Sequence, residues 1–93
     1  MADDALLGRA SRRAGERYPH VFVAGALAAY GRAHGLDEAA VAALLGVPPD
    51  RLWRLGLCRL PRNPAELARV AAHAGADPLA LATVLGDPAN DRA

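Results

Sequence analysis

The chain has 93 residues, 53% of them hydrophobic and 4% aromatic, with a formal net charge of +1. That length holds one modest core and argues against a second domain, and the near-neutral charge leaves no global field to draw the molecule onto nucleic acid or an anionic membrane, so any such binding must come from a local patch. The lone Cys58 excludes an internal disulfide, the apolar run Val21 to Tyr30 is too short to span a bilayer, and the acidic Asp3-Asp4 is unlike a signal peptide, so the expected setting is cytoplasmic, with no membrane partner.

Much of the hydrophobic content is alanine, which favours close-packed helices and disfavours strands. The first predicted helix runs from about Asp3 to Arg17, acids leading and arginines trailing as the helix dipole prefers, and Tyr18-Pro19 ends it. The second runs from about Val21 to His34, with Leu27 and Tyr30 inward and Gly35 at the left-handed capping position. Asp37 can cap a short third helix whose apolar positions are Val41, Leu44 and Leu45 and whose stop is Gly46. A fourth begins at Pro48-Pro49 and carries Leu52 and Leu55 inward before Gly56 weakens it; its end falls between Leu57 and Pro61.

The fifth helix has the fullest punctuation: Asn63 as cap, Pro64 at the first helical position, and Glu66 completing an N-x-x-E capping box. Leu67, Val70, Ala71 and Ala74 share one of its faces before Gly75 stops it. Asp77-Pro78 repeats the device for a sixth helix with Leu81, Val84 and Leu85 inward. The expected organisation is a helical extension over residues 1–20, a folded unit over 21–86 and a polar, frayed tail over 87–93.

Two short helices joined at Gly46-Val47-Pro48, bracketed by a longer helix before and two after, have the order of a helix-turn-helix core. The stretch Gly35-Leu36-Asp37-Glu38-Ala39-Ala40-Val41-Ala42-Ala43-Leu44-Leu45-Gly46-Val47 resembles the second-helix segment of the Cro/C1-type (XRE) family, and Leu52, Leu55 and the stretch Leu67 to Leu81 continue the likeness. The resemblance spans about Phe22 to Leu85. It implies an all-α, lambda-repressor-like domain of five or six helices that binds double-stranded DNA, as a homodimer because one such unit reads a half-site. Leu36, Val41, Leu45, Val47, Leu52, Leu55 and Val70 read as core and say nothing of a ligand.

The family's base-reading positions match Pro49, Asp50 and Arg54 here. Proline has no polar side chain to read a base, and a carboxylate is repelled by phosphate although it can accept from cytosine; Arg54 alone has the expected fork for guanine. Around it, Arg51, Arg59 and Arg62 form either a phosphate-contacting rim or a solvated helix face. Arg9, Arg13 and Arg17, with Arg12 beside them, make a second basic stripe open to the same two readings. That every basic residue is arginine reflects a GC-rich genome as readily as selection for bidentate contacts.

Helical spacing leaves Asp50, Trp53, Arg54 and Leu57 outward. Trp53 with Arg54 and an exposed Leu57 is the mixture of a protein contact, so a helix-turn-helix fold reused as an interaction module for a protein partner is the alternative function; Trp53 packed on the first helix or a loop is the other reading of that residue. Nothing implies an enzyme, a cofactor or a metal site. His20, His34, His73 and Cys58 lack ligand spacing, Cys58 reads as a small packed residue, the helix dipole accounts for His34, and no phosphate-binding glycine loop occurs.

Overall fold

The computed structural model describes residues 2–87, with side chains from residue 5 onward. The expected tail beyond residue 87 and the dipole role expected of Asp3 and Asp4 lie outside these bounds. The helices are α1 (Ala2–Arg17), α2 (Val23–His34), α3 (Glu38–Leu45), α4 (Leu52–Gly56), α5 (Pro64–Ala74) and α6 (Pro78–Leu85), with a 3-10 turn at Pro49–Arg51 leading into α4. The fold is all-α, and among the described residues there is no strand. No helix there is long and apolar enough to cross a membrane.

Helix ends follow the punctuation. Gly35, Gly46 and Gly75 cap α2, α3 and α5 in left-handed conformations with φ of 66°, 73° and 72°, and the next residue's N–H reaches back to close each helix: Leu36 to Gly31 O, Val47 to Ala42 O and Ala76 to Ala71 O. This is the Schellman arrangement, which satisfies carbonyls that the helix leaves free. Asp37, Asn63 and Asp77 accept from the backbone N–H of Ala40, Glu66 and Leu79 at 2.8, 2.9 and 3.1 Å. The capping box on α5 differs from the expected one. Glu66 Oε1 accepts from Arg62 N at 2.8 Å, one residue before the cap, and its other oxygen lies 3.4 Å from Arg62 Nη2.

Those contacts hold the Glu66 carboxyl below its ordinary range, the Arg62 backbone N–H foremost and its guanidinium after. A depressed folded value adds stability above the unfolded pKa and loses it as pH falls through the folded value. Acid titration of the melting temperature should therefore show a step in wild type that Glu66→Gln flattens, the two proteins melting alike once the carboxylate is protonated. Equal acid profiles throughout would mean that the contact is not held in solution.

Val41, Leu45, Val47, Leu52 and Leu55 are buried, with Val23, Leu27, Ala71, Leu81 and Val84 around them. Leu36 and Val70 are partly buried against this cluster. Leu44 departs from the expectation: it is 47% exposed, and Ala42, fully buried, takes the inward place. The sequence Glu38–Leu45 is apolar after its first residue, so periodicity does not choose its face; α2 and α6, which share the core with Val41 and Leu45, do.

The N-terminal helix is packed against both α2 and α4. Small residues permit it: a Cβ on Gly15 would stand 3.0 Å from Ala24, and one on Gly56 would run into Ser11 Oγ. Gly56, expected only to weaken α4, leaves the room that Ser11 of α1 occupies. Arg12 Nη1 reaches Glu38 Oε1 at 3.1 Å, tying α1 to the start of α3.

Candidate nucleic-acid interface

The segment from Pro49 to Gly56 is short because its two halves obey different rules. Proline presets φ and cannot donate, so the chain enters through a 3-10 turn; Leu52 and Leu55 then hold one α-helical stretch against the core. Behind it, Val23 N donates to Cys58 O at 2.8 Å and Leu60 N to Val21 O at 2.9 Å, around the isolated bridge between Phe22 and Arg59. This clip fixes the loop after α4 to the start of α2.

On this frame Arg51, Arg54, Arg59 and Asp50 are exposed, and among the described residues none of them has an ion-pair partner. Arg62 is also exposed but shares Glu66. A guanidinium held on an ordered backbone with no carboxylate to satisfy it keeps its donors for another acceptor. The Arg54 guanidinium carbon lies 5.7 Å from the centroid of the Trp53 ring, which restricts its swing.

Trp53 and Leu57 are not the outward pair that helical spacing gives: both are half-buried. Leu57 lies past the end of α4, where helical phase no longer applies. Trp53 lines a groove with Gly8, Ser11 and Arg12 of α1, and its indole Nε1 is closed to solvent with no acceptor among the described residues. Trp53 thus shares this groove with the first helix and does not stand fully outward.

Cys58 is half-buried, with Sγ donating to Arg54 O at 3.1 Å and burial pushing its thiol pKa up, the reverse of a reactive thiolate. His34 has more than a helix dipole to explain it. Its Nε2 lies 2.8 Å from Asp87 Oδ2 and its ring stacks on Tyr30 at 4.2 Å, so a contact joins Asp87 to α2. No cluster among the described residues could hold a metal ion. Arg9, Arg13 and Arg17 are exposed on α1.

The Arg12–Glu38 pair and the His34–Asp87 pair had no signal in the sequence, since each joins residues far apart in the chain. No protein-family model, curated protein or solved structure matches the chain.

Proposed function

We propose that this protein is a small helix-turn-helix regulator that binds double-stranded DNA, with α3 and the Pro49–Gly56 segment as its reading unit. Arg54 takes a guanine edge in the major groove, while Arg51 and Arg59, with Arg62 at the margin, contact the phosphates. The observation that carries this reading is the division of labour on one short segment: its arginines are exposed and without carboxylate partners among the described residues, whereas Trp53 between them is half-buried. The same division counts against the interaction-module reading, because Trp53 and Leu57, its intended anchors, are both half-buried.

One reading unit covers a half-site, so the proposal includes a second copy on the DNA. The face for it is α6, which bears no charged residue; Leu79 is 79% exposed there, and the Thr83 hydroxyl is used internally, donating to Leu79 O at 3.0 Å. Such a face offers no like-charge opposition to its own copy. It is small against the ~1,600 Å² of a standard interface, so the pairing is weak without DNA to hold both copies.

Sedimentation with duplex DNA at low and moderate salt tests both parts. Wild type should bind with affinity falling steeply with salt and reach two copies per duplex, and Leu79→Asp should bind as single copies. Absence of binding at low salt overturns the DNA reading; unchanged stoichiometry in Leu79→Asp overturns the assigned face.

A further inference from the structure

Between α1, α2 and the 3-10 turn runs a groove of about 890 Å³. Its floor is apolar, with Leu27, Val41, Leu52 and Trp53, and its α1 wall alternates the small Gly8, Ser11 and Gly15 with the long Arg12 and Glu16. A Cβ on Gly8 would meet nothing nearer than Arg12 Nη1 at 3.9 Å, so the space persists there for want of side chains. The volume lies within the ~300–1,000 Å³ of small-molecule sites.

The rim decides what kind of molecule fits. Four carboxylates, Glu16, Asp37, Glu38 and Asp50, face two guanidiniums, Arg12 and Arg32, in a protein whose formal charge is +1. Arg12 is engaged by Glu38, and Asp37 caps α3. That leaves Glu16 and Asp50 without ion-pair partners among the described residues, against Arg32 alone. A concave apolar wall under a carboxylate-rich rim focuses negative potential on the opening.

We propose that this groove is a binding site for a small organic cation with an aromatic or apolar body. The body lies on Leu27, Leu52 and Trp53, and Glu16 and Asp50 hold the charge. Anionic ligands, nucleotides included, are opposed by the same rim. The site shares Asp50, Leu52 and Trp53 with the Pro49–Gly56 segment but uses none of its arginines, and its test is read without DNA.

Trp53 is the chain's single tryptophan and reports occupancy directly. The test is a titration of the whole protein with tetraphenylphosphonium and, separately, tetraphenylborate, two ions of closely matched shape and opposite charge. The cation should change Trp53 emission saturably at one site, with at least ~10-fold weaker binding of the anion, and raised salt should narrow the gap. Glu16→Gln with Asp50→Asn should weaken the cation about 5-fold while leaving the melting temperature in place.

Amide shifts in an isotope-labelled wild-type sample provide a readout that needs no variant: the cation should move Gly8, Ser11 and Ala28 and leave α5 unmoved. Equal binding of the two ions, shifts centred elsewhere, or no saturable change would overturn the assignment.

Discussion

Alanine at Gly25 should lower stability by about 3 kcal/mol or more, the upper end for forcing extra volume into a packed region. Gly25 lies inside α2, where alanine would ordinarily be favoured by roughly 0.5–1 kcal/mol. Here the added Cβ would run into the backbone of Pro19, at its carbonyl oxygen, Cα and carbonyl carbon. A flexible side chain could turn away; the main chain of the bend between α1 and α2 cannot. The expected fall in Tm is about 10 °C or more for a domain of this size. Gly8→Ala is the matched control, a helical glycine with nothing closer than 3.9 Å, and it should hold or raise the melting temperature. If the two variants melt together, the bend at Pro19 does not lie against Gly25 in solution.

That contrast also marks the limit of what the sequence discloses. Caps and stops are local chemistry, so Asp37, Asn63 and Asp77 and the left-handed glycines could be placed from the residues alone, and the all-α class followed from them. Which face a helix buries was legible where polar residues interrupt the pattern, as with Leu52 and Leu55 flanked by Asp50, Arg51 and Arg54. It was not legible in the apolar run of α3, where Leu44 and Ala42 exchange the roles that size alone would assign.

The candidate interface divides in the same way. The exposure of Arg51, Arg54 and Arg59 follows from helical phase and from the solvation of charge, while the half-burial of Trp53 depends on a distant helix. That helix reaches α4 because Gly56 accommodates Ser11. A glycine that permits tertiary approach looks, in the sequence, like one that merely weakens its helix. The groove was invisible for the related reason that an absence of side chains has no residue pattern of its own.

The substitutions on the reading segment separate the two functional readings. Arg54→Ala should cost about 1–3 kcal/mol of DNA affinity and relax the preference at one base pair, as expected when a bidentate guanine contact is removed. Arg51→Ala or Arg59→Ala should weaken binding to all sequences alike and reduce the salt slope by about one, the mark of a phosphate contact. Asp50 stands just before α4 and, on the proposed reading, would be repelled by the phosphates that its arginine neighbours attract. Asp50→Asn should strengthen binding to most duplexes unless the carboxylate accepts from a cytosine, in which case affinity rises for other sequences and falls for that one.

Trp53 acts through the fold. Trp53→Phe keeps the ring in the groove and deletes an N–H that is buried without an acceptor among the described residues, a group whose desolvation costs roughly 1–3 kcal/mol. It should therefore leave stability and DNA binding intact, whereas Trp53→Ala should destabilise the domain and affect DNA only through unfolding. Competition with random duplex, together with melting curves for each variant, resolves these outcomes. Loss of DNA affinity in a fully folded Trp53→Phe, with Arg54→Ala indistinguishable from wild type, would move the recognition surface from the arginines to the groove.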